Sequence, residues 1–256
     1  KAFSWRTNLV FSLNRNKIKS LFGDYEEVEI DGQIVRREVP DYSNKWFPGK
    51  PLDVVWDYDI QGIWQVEEEE AAKVYRLVPG DFKARDIDGN GRYEALHDKT
   101  FIGYLQPRYR WGLRNDFTFL KNFTASFFLR ADLGHIADMP QALHSWSTYD
   151  RNSTSNVPYW TADNRTNEWP RLTQDNAPFG GGIMLYKPRS FVRIQDVSLA
   201  YQVQGGVLQY LRLNDVSIFA SIRNLHSFDK WPGWDPESTH TPMPRTYTFG
   251  LNVTLK

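Results

Sequence analysis

The chain has 256 residues, and its 31 lysines and arginines are balanced by 31 aspartates and glutamates. This balance excludes the basic surface that a nucleic-acid-binding protein needs, and the lack of cysteine excludes a disulfide framework and thiolate chemistry. A mean hydropathy of -0.57, without any run of about 18 apolar residues, excludes a transmembrane helix.

Polar and apolar residues alternate along six stretches of the chain. In chain order these stretches cover residues 3–14, 109–119, 123–133, 190–203, 215–223 and 245–255. Because successive side chains of a β-strand point to opposite faces, each stretch would present one apolar and one polar face. In the fourth stretch Val192 and Ile194 fall on the otherwise polar side, which predicts a β-bulge there.

The length of these stretches distinguishes between two kinds of antiparallel sheet. A soluble sheet with one face in a core gives the same alternation, but its strands average about 5 to 6 residues, whereas an outer-membrane strand needs about 9 to 11. Aromatic residues also gather near strand ends, where they would meet the membrane interface, as Phe117, Phe119 and Phe123 do. The sequence therefore predicts an all-β fold, a transmembrane antiparallel β-barrel. Its lumen-facing charges could line a pathway, but we interpret them as paired charges that hold a plug in place.

Loop lengths predict which way the strands run. If the C-terminus is periplasmic, the short turns near 118–122 and 204–211 lie on the periplasmic side of the membrane. The long connections 135–188 and 226–243 then lie outside the cell, which is the asymmetry typical of bacterial barrels.

The same assignment of sides places residues 15–101 outside the cell as one large extracellular excursion. Within it, residues 25–39 are predicted to form a hairpin that turns at Asp31-Gly32. Six strands leave two open edges, and unpaired backbone groups are costly in lipid. We therefore interpret 1–256 as the C-terminal part of a larger barrel, whose plug and N-terminal strands are absent from this chain.

An acidic loop within the excursion follows the pattern of a calcium site. Oxygen-bearing residues alternate along it, Gly91 stands where the loop must turn sharply, and His97 occupies the final ligand position, for which it is a poor choice. The candidate ligands are Asp86, Asp88, Asn90, the carbonyl group of Arg92, Glu94 and, in place of the histidine, Asp98. A tight turn rich in Asp and Asn, without any metal, explains the same residues equally well.

Aromatic residues in the predicted external loops are the candidate substrate contacts, because flat rings stack on sugars. The four candidates are Trp146, Tyr149, Tyr159 and Trp160, and loop packing is the alternative for each. The chain has neither a Gly-x-Ser-x-Gly elbow nor a His-Glu-x-x-His motif. The sequence therefore predicts that the protein is not an enzyme.

Short motifs along nearly the whole chain resemble the C-terminal part of the SusC/RagA family. These are the TonB-dependent outer-membrane transporters of Bacteroidetes, which import glycans or peptides. The motifs are, in order, Phe3-Ser4-Trp5, Asn14-Arg15-Asn16-Lys17, Tyr58-Asp59-Ile60-Gln61-Gly62-Ile63, Gly80-Asp81-Phe82, Asp86-Ile87-Asp88-Gly89-Asn90-Gly91, Trp169-Pro170-Arg171, Arg223-Asn224-Leu225, Gly233-Trp234-Asp235-Pro236-Glu237 and Met243-Pro244-Arg245.

The resemblance implies that these strands are about the last six of a plugged barrel of roughly 22 strands. It implies TonB-dependent active import of an oligosaccharide or oligopeptide across the bacterial outer membrane. The implied partners are a SusD-like surface lipoprotein, and TonB through the missing N-terminal region. A secreted soluble β protein that binds or cleaves glycans is the alternative, since loop aromatics and calcium would suit it too.

Overall fold

The structure is a computed structural model that describes residues 3–30, 32–139, 157–172, 184–210, 212–238 and 241–255. Its strands are, in chain order, β1 (Phe3–Leu13), β2 (Tyr25–Ile30), β3 (Gln33–Glu38), β4 (Val54–Tyr58), β5 (Ile60–Ile63), β6 (Phe82–Ala84), β7 (Lys99–Tyr104), β8 (Tyr109–Phe119), β9 (Phe123–Leu133), β10 (Ile136–Asp138), β11 (Tyr186–Pro188), β12 (Phe191–Gln202), β13 (Leu213–Asp229) and β14 (Thr246–Leu255).

Helical structure is limited to short segments. They are a 3-10 turn (Val66–Glu68), α1 (Glu69–Val74), α2 (Ala95–Asp98) and α3 (Gly206–Tyr210). Over the described residues, none of the helices has the length and apolar character needed to span a membrane.

The chain divides into two compact units. The first consists of Lys1–Leu13, Pro107–Gly134 and Pro188–Lys256, and the second of Asn14–Gln106 and His135–Lys187. The first unit is a six-stranded antiparallel sheet in the order β1-β8-β9-β12-β13-β14. All six strands expected from the alternation are thereby confirmed. Only β13 is much longer than expected, because its far end continues to pair with β12, where Phe191 lies opposite Asp229.

The predicted bulge is confirmed, and it explains the break in the alternation of β12. Against β9, Ile194 pairs with Leu129 and Asp196 pairs with Phe128, so Gln195 is one extra residue. An extra residue shifts the side-chain parity by one. Even-numbered apolar residues before the bulge, such as Ile194, therefore share a face with odd-numbered ones after it, such as Val197.

The apolar face of the six-stranded sheet is largely uncovered over the described residues. Trp5 is 61% exposed and Phe249 is 80% exposed. Aromatic rings form a row across the strands on this face, and Trp5 stacks on Phe117 with their centroids 6.3 Å apart. Among the residues that the structure describes, no strand pairs with the outer edge of β1 or of β14.

The connections between the six strands differ sharply in length at the two ends of the sheet. Because neighbouring strands are antiparallel, the links β1 to β8, β9 to β12 and β13 to β14 all leave from one end. These three are the long connections, and two of them supply the second unit. The links β8 to β9 and β12 to β13 leave from the other end and are short.

The second unit is built from four two-stranded ribbons, β2-β3, β4-β7, β5-β6 and β10-β11. The first ribbon confirms the predicted hairpin, with Tyr25 opposite Glu38; Asp31 lies outside the described residues, and Gly32 has a positive φ of 76°. Two small hydrophobic clusters stabilise the unit. One is centred on Phe47, Val54 and Trp56, and the other consists of Trp64, Ala72 and Leu77.

Candidate functional site

Three carboxylates of the acidic loop converge in the second unit. One oxygen each from Asp86, Asp88 and Asp98 lies within 4.8 Å of the others. Asp98 is fully buried, and it enters the group from α2, one residue after the final ligand position. The loop turns at Gly89 and Gly91, whose φ angles of 71° and 76° favour glycine.

The other candidate ligands have different contacts. The Asn90 side-chain oxygen accepts a hydrogen bond from the Arg92 amide at 2.8 Å, and its side-chain nitrogen donates to Asp88 at 2.9 Å. The Glu94 carboxylate lies 3.2 Å from Nδ1 of His97. Asp86, Asp88 and Asp98 are thus brought together, while the Glu94 carboxylate is not part of the group.

Hydrogen bonds stabilise the ionised form of the Asp86 carboxylate. Burial alone would raise the pKa of this carboxyl, but the amides of Gly91 and Gly89 and the hydroxyl of Tyr75 donate to it and hold its pKa below the usual range. Carboxylate oxygens are the ligands that calcium prefers. The donor set of this loop therefore fits calcium chemistry.

Residues 157–172 pack against the end of β5 and against the segment that connects β5 to β6. The Trp160 side chain is only 9% exposed, and its Nε1 donates to Oε1 of Gln65 at 3.0 Å. The Arg171 amide donates to the Gly80 carbonyl at 2.8 Å, and its guanidinium pairs with Asp81 at 2.7 Å. In this structure Trp160 is therefore an anchor of the segment.

Of the other three aromatic candidates, the structure describes only one. Tyr159 is half-buried beside Trp160, and Trp146 and Tyr149 lie outside the described residues. Substrate contact by any of the four candidates stays a prediction. Trp169, at the start of the Trp-Pro-Arg motif, is buried, and the Lys187 ammonium lies 4.7 Å from its ring centroid.

A polar pocket of about 810 Å³ opens beside this segment in the second unit. Its border includes Glu67 and Glu68, which belong to a short run of glutamates, together with Lys83, Arg165 and Asn167. Sequence reasoning missed this pocket. The run of glutamates was visible, but its cationic partners stand 15 and 98 residues further along the chain.

Several charged residues on the polar face of the six-stranded sheet pair with one another, while the predicted role of such charges in holding a plug stays a prediction. Arg114 contacts Asp116 at 3.1 Å, and Arg223 contacts Asp196 at 3.2 Å. A pocket of about 560 Å³ on this face is bordered by Arg110, Arg130, Asp132 and Glu237, among others.

A buried arginine joins this face to the connection between β13 and β14. Arg193 of β12 is 1% exposed and pairs with Asp235 at 2.6 Å and with Glu237 at 3.2 Å. Arg130 of β9 contacts the same Glu237 carboxylate at 2.5 Å, and Arg189 donates to the carbonyl groups of Pro236 and Glu237. Asp235, Pro236 and Glu237 thus hold the β13-β14 connection against β9 and β12, and we call these contacts the latch.

Comparison with known proteins shows what this architecture is similar to. No protein-family model matches the chain. The chain is 26% identical to TonB-dependent receptor P3 of Formosa agariphila, over 98% of this chain and 27% of the relative, and 24% identical to TonB-dependent receptor P26 of the same organism, over 99% and 27%. The RagAB peptide transporter superposes with a TM-score of 0.65 at 17% identity, covering 99% of this chain and 27% of that one. The chain is similar to TonB-dependent receptors, and its fold is similar to that of the SusC/RagA-like RagAB transporter.

The RagAB peptide importer in its open-open state gives the same TM-score of 0.65, at 16% identity, with 100% of this chain covered. These matches confirm the predicted all-β, antiparallel barrel fold, although the described strands do not close a ring. The chain spans about a quarter of the length of the relatives, 27% in each case. These relatives are receptors and transporters by name rather than enzymes, while the strand number of the whole barrel and its plug stay predictions.

Proposed function

We propose that this chain forms part of the barrel wall of a TonB-dependent importer in the bacterial outer membrane. The observation that carries the proposal is the exposed apolar face of six antiparallel strands that are 10 to 17 residues long. Strands of about 9 to 11 residues are long enough to cross a bilayer. A soluble protein that exposed such a face would aggregate, which argues against a secreted β protein that binds or cleaves glycans.

The same reasoning assigns sides to the two ends of the sheet. Outer-membrane barrels have short periplasmic turns and longer external loops. The three long connections, and with them the second unit, are therefore extracellular in our proposal, and the C-terminus is periplasmic. The proposed extracellular part includes residues 15–101.

The cargo is an oligosaccharide or an oligopeptide, and the importer works with two partners. A SusD-like lipoprotein binds at the extracellular side, and TonB supplies energy through a region that this chain does not contain. The resemblance to SusC/RagA transporters and the likeness to RagAB support this part of the proposal. Other strands of the same barrel pair with the free edges of β1 and β14.

The proposal is tested by purifying the receptor from outer membranes in detergent and identifying the co-purifying proteins by mass spectrometry. We expect sequence of a plug from the same polypeptide and a surface lipoprotein. The matched control is a mock purification from cells that lack the gene for this receptor. Recovery of the protein from the soluble fraction alone would contradict the proposal and favour the secreted alternative.

We further propose that Asp86, Asp88 and Asp98 bind calcium, with Asn90 and the Arg92 carbonyl as additional oxygen donors. When bound, the ion would neutralise three adjacent carboxylates and stabilise the turn. The buried position of Asp98 and the convergence of the three carboxylates support this proposal. Extracellular calcium modules bind with dissociation constants on the order of 0.1 to 1 mM.

Calcium titration calorimetry on the purified receptor tests the site, with Asp88→Asn as the variant and Asp163→Asn, in an exposed turn of the same unit, as the matched control. We expect the wild type and the control to bind one more calcium ion than Asp88→Asn does. Equal stoichiometry in all three would mean that the loop is a turn without metal.

A further inference from the structure

The polar pocket of the second unit has the dimensions of a ligand site. Its volume of about 810 Å³ falls within the range of roughly 300 to 1,000 Å³ found for small-molecule sites. Strand β5 contributes Gln61 and Gly62 to the border, the 3-10 turn contributes glutamates, and the segment that docks beside them contributes Asn167.

The amide groups that border the pocket are held in fixed orientations. The Ile63 amide donates to Oδ1 of Asn167 at 2.8 Å. Gln65 receives a hydrogen bond from Trp160 at 3.0 Å and donates to the Ile63 carbonyl at 2.9 Å. A Cβ atom at Gly62 would lie 2.4 Å from Oδ1 of Asn167, so glycine is required for this close approach. The pocket is therefore organised before any ligand arrives.

The charges at the pocket cancel in pairs. Glu68 contacts Lys83 at 2.6 Å, and Glu67 forms an ion pair with Arg165. The Lys83 ammonium also lies 4.5 Å from the centroid of the Trp64 ring. Two carboxylates against two cations leave no net charge. A charged ligand would have to compete with one of these ion pairs for its counter-charge.

Neutral hydroxyl groups meet no such competition. A hydroxyl both donates and accepts, and each carboxylate and amide oxygen retains a lone pair after its present hydrogen bond. The two tryptophans beside the pocket, Trp64 and Trp160, are 5% and 9% exposed. Recognition would therefore depend on hydrogen bonds to the edges of a ligand rather than on stacking against its face.

We propose that this pocket is a subsite for a neutral oligosaccharide. The proposal rests on the import function for its biological role, and it names the class of cargo for which the second unit selects. The side-chain amides of Gln61 and Asn167 donate to sugar hydroxyls or accept from them, and the carboxylates of Glu67 and Glu68 accept. Lys83 and Arg165 donate to the hydroxyls from within their ion pairs. Peptides with charged termini and acidic glycans are disfavoured by the balanced charge.

The test uses the full-length receptor with its co-purifying partners in detergent. Binding is measured on an array of neutral oligosaccharides, acidic oligosaccharides and short peptides, followed by titration of each hit. Gln61→Trp fills the pocket from an exposed position, and Gln33→Trp, exposed on the β2-β3 hairpin of the same unit, is its matched control.

We expect neutral glycans to bind, with at least tenfold weaker binding in Gln61→Trp and none of that loss in Gln33→Trp. The proposal is overturned if no neutral glycan binds, if its binding is insensitive to Gln61→Trp, or if only peptides or acidic glycans depend on Gln61. TonB-dependent uptake into cells is measured separately, so a failure of import with intact glycan binding would contradict the import function and not this subsite.

Discussion

Gly80 shows how a single residue decides whether a distant segment can dock. It has a φ of 93°, and a Cβ atom there would lie 2.6 Å from the Trp160 ring and 2.8 Å from Cβ of Arg171. Gly23 has a similar φ of 83°, but a Cβ atom there would have no neighbour within 4 Å. The two glycines share the same backbone requirement and differ only in packing.

We predict that Gly80→Ala releases residues 157–172 and that Gly23→Ala does not. Both variants carry a backbone cost of about 1 to 2 kcal/mol, and only Gly80→Ala adds an overpacking cost of about 1 to 3 kcal/mol. Limited proteolysis of the receptor followed by mass spectrometry measures the difference as cleavage within the segment. Equal cleavage in the two variants would show that docking does not depend on this close approach.

The Glu38 carboxylate gathers three hydrogen bonds at the base of the β2-β3 hairpin. The amides of Gly23 and Leu21 donate to Oε1 at 2.8 Å, and the Ser20 hydroxyl donates at 3.0 Å. Donation by Gly23, only partly offset by burial, lowers the pKa of Glu38 below its usual value of 4.5. The contribution of these bonds to stability is therefore fully present above pH 4.5 and is lost as the pH falls through the lowered pKa.

We expect the amides of Leu21 and Gly23 to lose protection from hydrogen exchange as the pH is lowered from 6 to about 3. Glu38→Gln is the matched control, since it keeps the shape and an acceptor oxygen but does not titrate in this range. Exchange rates corrected for the intrinsic effect of pH measure the outcome. The interpretation is wrong if protection falls equally in the wild type and in Glu38→Gln.

At the scale of the strand, two glycines on the polar face are each covered by a phenylalanine from the neighbouring strand. A Cβ atom at Gly250 would lie 2.2 Å from the ring of Phe219, which is its direct partner across β13 and β14. A Cβ atom at Gly112 would lie 3.0 Å from the Phe128 ring. These contacts explain why Phe128 and Phe219 depart from the polar pattern of their face, since a ring can protect the bare backbone of a glycine.

The latch between β12 and the β13-β14 connection gives a prediction at the same scale. Removing one partner of a buried ion pair leaves an uncompensated charge and costs about 3 to 5 kcal/mol. Arg193→Met leaves the Asp235 carboxylate without its arginine partner. We therefore expect this variant to lower the free energy of unfolding by about 3 to 5 kcal/mol. Loss of folded-state electrophoretic mobility on heating or in urea measures the effect.

The matched control is Arg223→Met, which breaks the ion pair between Arg223 and Asp196. Both residues lie on strands of the sheet, and the Arg223 side chain is 67% exposed. Such exposed pairs contribute about 0 to 1 kcal/mol, so this variant should unfold close to the wild type. Adding Asp235→Asn to Arg193→Met should recover part of the loss, because it removes the abandoned charge. Equal stability of the two arginine variants would contradict a structural role for the latch.

At the scale of the whole molecule, the orientation of the barrel is open to direct measurement. The chain contains no cysteine, so single cysteines introduced into it are specific reporters. We expect Asp163→Cys, in the second unit, to react with a membrane-impermeant maleimide on intact cells. Gln204→Cys, in the short connection between β12 and β13, should react only after the outer membrane is permeabilised. The opposite pattern would reverse the proposed orientation.

The sequence alone predicted the six strands, because the side-chain period of a strand is a local property that each segment displays by itself. The break at Val192 and Ile194 even located the bulge to within a few residues. The acidic loop was visible for the same reason, since Asp86 and Asp88 are close in sequence. Replacement of the final ligand by Asp98 was also predicted, and the structure places that carboxylate beside the other two.

Only the tertiary structure decided which distant residues meet. The length of β13 followed from its partner rather than from its own pattern, and Arg193 acquired Asp235 from a connection 42 residues away. Trp160 became a buried anchor because Gly80 leaves room for it, and the pocket near Asn167 combines two segments about 100 residues apart. Local alternation specifies strands because neighbouring side chains share a backbone, whereas a pocket depends on long-range packing that no local pattern encodes.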